Sequence, residues 1–289
     1  MVQSPSPLRV FPQFTFWRRA RYYSRLAVST FRYLSQTEVH TFAFSVAANA
    51  ILSFFPFVLL LMNLVLRVFH SPAMYRIILQ LLKDYLPAGQ EFVIRNLNAL
   101  ASARNRVQLY SLVILLITST GIFMPLEVAL NRVWGFSENR SYIRNQLISL
   151  GLAFASGILA LLSIALSAGN IELLAVFFRH DIFLVHAAGL VTAKIFATVA
   201  SMAIFFLIYW ALPNGKVPAQ SVLPTAIIMG LLSEILKYSY ILALPHLSFQ
   251  QVYGPFALSV SMMFWAFLSG LLLLAGAHLS AQKIILSAQ

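Results

Sequence analysis

Three ionisable side chains, Lys194, Glu234 and Lys237, stand inside otherwise apolar stretches of this chain. A charge at bilayer depth is costly, so it persists because it is paired or because a function uses it. Lys194 has Thr198 and Ser201 at i+4 and i+7, a polar stripe down one helix face. Glu234 and Lys237 lie one turn apart, with Tyr238 alongside. Such groups can do two kinds of work. Lys194 and Glu234 can form a buried ion pair that fixes helix register. Alternatively they line a polar cavity that binds an anionic head group or relays a proton. Lys237, about a turn nearer the surface, can also snorkel outward. The substrate-binding candidates are therefore Lys194, Glu234, Lys237, Thr198 and Tyr238.

Other chemistries find little to build on. The eight acids, Glu38, Asp84, Glu91, Glu127, Glu138, Glu172, Asp181 and Glu234, are scattered with no ligand-spaced pair. A metal-dependent nuclease needs two or more carboxylates held together near the aqueous face. The histidines His40, His70, His180, His186, His246 and His278 are equally dispersed. With no cysteine, disulfides, thiolate metal sites and cysteine nucleophiles are excluded. No GxxxxGK[ST] loop is present, so a nucleotide-driven pump within this chain is not expected. We expect no enzyme, no catalytic residues, no metal and no cofactor. Among weaker positions, Glu127 and Asn131 sit one turn apart where they can cap a helix or pair with Arg132. Pro56, Pro125 and Pro224 mark kinks. Ala153, Gly157 and Ala160 form a small-residue packing face.

The elements that must position these groups follow from where charge is missing. None falls from Thr41 to Leu66, from Val107 to Leu126 or from Asn145 to Ile171. Only Lys194 interrupts the run between Asp181 and Lys216, and no charge follows Lys237 until Lys283. A span needs about 20 apolar residues. Six helices are thus expected, over 41–68, 107–133, 146–169, 182–212, 219–244 and 253–280. The fold class is all-α, a polytopic membrane protein. Composition agrees: 10% of residues are charged and the mean hydropathy is +0.82, against about 25% charged in soluble domains. With span midpoints near 197 and 232, a rise of ~1.5 Å per residue puts Lys194 ~4–5 Å and Glu234 ~3 Å outward of the midplane. They are level enough to pair.

The net charge of +12 is read through the loops. Arg9, Arg18, Arg19, Arg21, Arg25 and Arg32 precede the first span; Arg132, Arg140, Arg144, Lys216 and Lys283 fall on the same side. That is eleven positive charges against six on the other side, so both termini are expected in the cytoplasm. The chain divides into an arm over 1–40, a membrane domain over 41–283 and a tail over 284–289. In the arm, Phe11, Phe14, Phe16, Trp17, Tyr22 and Tyr23 interleave with arginines, the pattern of a membrane-surface segment rather than a nucleic-acid site. No apolar core precedes residue 41, so a cleaved signal peptide is not expected. Between the first two spans, the extracytoplasmic segment 70–106 reads as an amphipathic helical hairpin. Met74, Ile77, Ile78, Leu81, Leu82 and Tyr85 make one helix, Pro87 to Gly89 breaks it, and Val93, Leu97 and Leu100 resume it. Its apolar faces need cover from the bilayer surface, the bundle or a second copy.

Four ordered blocks carry a resemblance: Ser45 to Pro56 (SVAANAILSFFP), Ala129 to Gly135 (ALNRVWG), Tyr209 to Asn214 (YWALPN), and Val252 to Ser280 with Tyr253, Gly254, Trp265 and Gly276 in order. On these the chain resembles the YihY/BrkB family of bacterial inner-membrane proteins. The motif positions are Pro56, Asn131, Pro213, Tyr253, Gly254, Trp265 and Gly276. Two positions depart, with Asn49 where the family usually has an aromatic residue and His278 where it usually has glutamate. The resemblance implies a six-helix inner-membrane fold. Family members have been described as a tRNA-processing ribonuclease, as serum-resistance factors and as linked to export of lipopolysaccharide precursors. Taken with the mid-depth charges, the expected function is transport or flipping of an amphiphilic anionic lipid-like molecule. A non-transporting envelope scaffold is the alternative and a ribonuclease the third. Expected partners are membrane lipids and a further copy of the chain, with no nucleic acid.

Overall fold

The computed structural model describes residues 13–85, 91, 94, 95, 97, 105–136, 140–177 and 182–287. Helices account for nearly all of it, and no strand occurs among the described residues. They are α1 (Gln13–Leu34), α2 (Thr37–Leu64), α3 (Pro72–Tyr85), α4 (Asn105–Trp134), α5 (Tyr142–Phe177), α6 (Ile182–Ala211), α7 (Ala219–Ala243), the short α8 (Phe249–Tyr253) and α9 (Ala257–Ser287). A π-turn over Val65–Phe69 extends α2, and a 3-10 turn over Leu244–His246 extends α7.

Five segments are long and apolar enough to cross a membrane: Thr37–Phe69, Ile143–Ser167, Ala188–Ala211, Ala219–His246 and Phe249–Gln282. The span expected over 107–133 coincides with α4, a helix of 30 residues, many of whose side chains lie outside the described residues. Because these sequences are apolar on all sides, what they bury is set by neighbours. α2 packs against α4 and α9, α9 against α7, α7 against α6, α6 against α5, and α5 back against α4. The bundle is thus a closed ring of helices.

The amphipathic elements settle at its two ends. Met74, Ile77, Ile78 and Leu82 of α3 are buried against Val58, Met62 and Val65 of α2, Ile164 of α5 and Met262 of α9. Of the three covers open to the α3 face, the bundle itself provides it. The second helix of the expected hairpin, over 93–100, falls largely outside the described residues, although Leu97 is fully buried in the same cluster. At the opposite end, much of the arm is the 22-residue helix α1, which packs on α9. Thr30 Oγ1 lies 3.1 Å from His278 Nδ1, and the Tyr33 ring stacks on His278 with centroids 4.5 Å apart. Burial pushes the Tyr33 phenol up to about 12, with Arg132 pulling back, so this stack carries no phenolate near neutral pH. Arg132 of α4 pairs with Glu38 at the same end. α1, the α4–α5 junction and the end of α9 therefore share one face of the bundle.

Two glycines explain family motif positions. Gly254 has φ of 51° at the corner between α8 and α9, a conformation costly for any residue with a Cβ. The last helix consequently starts at Ala257, later than the apolar pattern suggests. Gly276 sits where α9 meets α6 and α7: a Cβ there would collide with the Tyr209 hydroxyl and with Met229. That hydroxyl donates to the Leu273 carbonyl at 2.9 Å, and Tyr209 is fully buried. Helix propensity alone favours alanine over glycine by about 1 kcal/mol. Gly276→Ala should nonetheless destabilise by about 1–3 kcal/mol through overpacking, read as a lower thermal midpoint in detergent. The loss should shrink in a Tyr209→Phe background, and an unchanged or raised midpoint would refute the collision.

Candidate functional site

Inside the ring the side chains do not fill the space. A cavity of about 620 Å³ lies between α2, α5, α6, α7 and α9, and Ile78, Leu81 and Leu82 of α3 reach its edge. That volume is within the range of ligand pockets, about 300–1,000 Å³. Its wall is apolar, built from residues such as Phe54, Phe57, Ile204 and Phe205. The polar exceptions are Ser163, Ser201, Ser233, Ser269, Trp265 and Glu234, contributed by four helices. Ser233 donates to the Gly230 carbonyl at 2.6 Å and Ser269 to the Trp265 carbonyl at 2.9 Å. Such back-bonding spends each hydroxyl hydrogen on the helix and leaves oxygen lone pairs. Ser201 and Ser233 approach to 3.4 Å across the α6–α7 seam.

Glu234 is the acid of this cavity, and Lys237 forms an ion pair with it. The Lys237 side chain is 3% exposed and that of Glu234 17%. Both belong to α7, so the pair does not tie two helices together. Lys194 lies elsewhere: it is exposed, in a groove on the outer side of α6 with Val191, Ile195, Thr198, Val199 and Met202. Its ammonium stands 5.5 Å from the centroid of the Tyr238 ring, and that of Lys237 stands 4.7 Å from the same ring. Thr198 donates to the Lys194 carbonyl at 2.8 Å. The five candidates are thus neighbours along one seam, but Glu234 faces the cavity while Lys194 and Thr198 face outward. Of the motif positions, Trp265 lines the cavity, Tyr253 is exposed and Pro56 is buried within α2. Asn49, at a departing position, donates to the Ser45 carbonyl of its own helix at 2.9 Å.

A second polar centre joins two motif blocks at the end near α1. Asn131 Oδ1 of α4 accepts the Asn214 backbone N–H at 2.7 Å. Arg140 donates through Nη1 to Leu212 at 2.9 Å and through Nη2 to Pro213 at 2.5 Å and Ala211 at 3.4 Å. These are the carbonyls a helix end leaves without partners, and the guanidinium fork caps them. Burial pulls the Arg140 pKa down, opposed by the carboxylate of Glu127. Glu127 is 2% exposed and also meets Asn131 and the Arg140 backbone. The expected partner Arg132 instead turns outward to Glu38. Sequence reading missed Arg140 as a clip, because it counted this residue only as loop charge. The hint lay in the sequence ALPN, a helix end before a proline whose carbonyls must find donors. The cavity serines were missed for a similar reason: single hydroxyls in apolar spans carry no periodic pattern.

Among the described residues, no three His, Asp or Glu side chains gather into a metal site. The virulence factor BrkB family profile matches residues 30–283, from the end of α1 through α9. The chain belongs to the BrkB family. It is 26% identical to a UPF0761 membrane protein of Acinetobacter baylyi, over 73% of this chain and 50% of that protein. A UPF0761 membrane protein of Chromohalobacter salexigens is also 26% identical, over 68% and 48%, and one of Pseudoalteromonas translucida 23%, over 70% and 66%. The chain thus spans about half the length of the first two. No solved structure matches significantly. For this BrkB-family chain, the clip between the ALNRVWG and YWALPN blocks gives both motifs a physical reason. Arg140→Met should cost about 1–3 kcal/mol by stranding the capped carbonyls and leaving Glu127 without its cation. Adding Glu127→Gln should recover part of that loss, since removing both members of a buried pair is milder than removing one. Additive losses in the double-mutant cycle would show that the two do not interact.

Proposed function

We propose that this protein transports or flips an amphiphilic, lipid-like molecule with an anionic head across the bacterial inner membrane, using the cavity between its helices. The observation that carries this reading is the cavity itself, a wide apolar space whose wall holds serine oxygens and Glu234, the acid of an ion pair with Lys237. An acyl-type chain suits the wall. The head group passes Glu234 to reach Lys237, and as its anion replaces the carboxylate at the ammonium, Glu234 takes up a proton from water and becomes neutral. Glu234 standing in the cavity wall, with Lys237 paired to it from the same helix, supports this reading.

In this reading α4 is the sixth span. The end bearing α1, Arg132, Arg140, Arg144 and Lys216 faces the cytoplasm, in keeping with the excess of positive charge there. Both termini then lie inside, and α3 caps the extracytoplasmic end. The protein acts without a cofactor and without making or breaking covalent bonds; the scattered acids supply no nuclease centre. The test is flipping of a fluorescent anionic lipid in vesicles containing the purified protein. Lys237→Met should slow it by about tenfold or more, the size of one lost charge-assisted contact, while a neutral lipid of the same chain length is little changed. Wild-type vesicles that flip no faster than protein-free ones would overturn the proposal.

A further inference from the structure

α1 leaves one side uncovered, and that side is not uniform. Thr30 and Tyr33 meet His278 of α9, which fixes the inner side of the helix. Val28 and Phe31 are 59% and 74% exposed, and Arg25 and Arg32 are exposed as well. At about 100° per residue, Phe31 and Val28 fall about 100° and 160° round from Thr30 in one direction, and Arg25 and Arg32 about 140° and 160° in the other. The outward side therefore carries an apolar strip beside a basic one. The same register continues both strips along the helix, with Trp17 falling on the apolar one and Arg18 and Arg21 on the basic one.

Two observations say what covers this side. The first is charge: α1 holds five arginines and no acid, and the first acid after it, Glu38, is paired with Arg132. A cover that brings negative charge fits, whereas a two-fold contact with a second copy would lay arginines against arginines. The second is level. α1 ends at Leu34, just before the candidate crossing that begins at Thr37. His278, which α1 touches, stands one turn before the end of the candidate crossing Phe249–Gln282. An apolar strip exposed at the membrane boundary beside a basic one is the pattern of a helix lying in the head-group region, with its apolar side against the acyl boundary and its cations at the phosphates.

We propose that the outward side of α1 is a docking surface for anionic lipid head groups of the adjoining bilayer leaflet. Val28 and Phe31 enter the boundary between head groups and acyl chains, and Arg25 and Arg32 meet lipid phosphates. The surface is separate from the cavity and does not depend on the proposed flipping. It also bears on α9, since a helix held by lipid on its outer side and by His278 on its inner side fixes the end of α9 relative to the bilayer.

The chain has no cysteine, so a single fluorescent label can be attached at one chosen position. The test places full-length Val28→Cys, carrying an environment-sensitive fluorophore, in nanodiscs of phosphatidylcholine with rising shares of phosphatidylglycerol. Quenching by lipids brominated near the head-group end of their chains reports insertion. It should rise with the phosphatidylglycerol share and fall as salt is raised, because salt screens attraction between surface charges. Replacing Arg25 and Arg32 together by Gln should lower the ratio of docked to undocked α1 by about fivefold per arginine, about 25-fold for the two, while replacing both by Lys should keep it. A thermal midpoint unchanged by the Gln substitutions shows that the doubly substituted protein is folded; where the midpoint falls, the salt series with both arginines intact decides. Quenching that is equal in pure phosphatidylcholine, quenching insensitive to salt and to both arginines, or no quenching in any mixture, as when a second copy covers the helix, would each overturn the assignment. None of these outcomes bears on the flipping test, which turns on Lys237.

Discussion

No polar group in the core of a bilayer can fall back on water, and the rest of this structure follows from that. Backbone groups are satisfied by helices, which is why the described chain is almost wholly helical. Side-chain hydroxyls obey the same rule one residue at a time. Thr192, Thr198, Ser233 and Ser269 each bond the carbonyl three or four residues back on their own helix. Where a helix ends inside the protein, the demand passes to a neighbour. At the end of α6 it is met by Arg140 and Asn131, and the result is a cross-link among α4, the α4–α5 connection and the α6–α7 turn. A local requirement for donors thus becomes a global restraint on which helices adjoin.

The same requirement explains what was legible in the sequence. Charge-free runs mark spans because a span tolerates no unpaired charge, and five of the expected helices are seen as candidate crossings with ends close to those read from charge alone. Spacing along each helix was also legible, since rise per residue is fixed. Direction around the helix was not. Lys194 and Glu234 were read as level enough to pair, but level says nothing about whether a side chain faces the ring interior, and at the margin of α6 a small rotation decides it. The cover of α3 was open for the same reason. An amphipathic pattern demands an apolar partner without naming it, and here Val58, Met62, Val65 and Ile164 answer. The docking of α1 rests on Thr30, Tyr33 and His278, separated by nearly the whole chain and carrying no spacing that links them.

Rigidity and openness are unevenly shared between the two halves of the ring. α2, α4 and α9 approach closely through small residues: Ala43 and Ala47 are fully buried, and Gly270 comes against the Ala43 backbone. α5, α6 and α7 bury few residues fully and, with α9, supply the polar part of the cavity wall. A cavity needs some wall that is not committed to close packing, because well-packed interiors leave few voids larger than a water molecule. In this protein that wall is α6. It is clipped at its end by Arg140, while its middle bears Ser201 on the cavity side and Lys194 at the outer margin.

Under the proposed function, this arrangement places charge where an amphiphile would change surroundings. A lipid moving between bilayer and cavity must carry its head past an apolar wall, and the barrier is the desolvation of that head. Along the α6–α7 seam the Tyr238 ring has Lys194 on its outer side and Lys237 next to it, the latter already drawn toward the cavity by Glu234. The aromatic face stabilises cations in a poorly solvated place. Two ammonium groups and one carboxylate therefore gather around one aromatic ring within otherwise apolar helices, where any one of them alone would be expensive. The apolar stretches make the protein resident in the membrane. Their imperfections in α6 and α7 make one seam of it chemically different from the lipid that surrounds it.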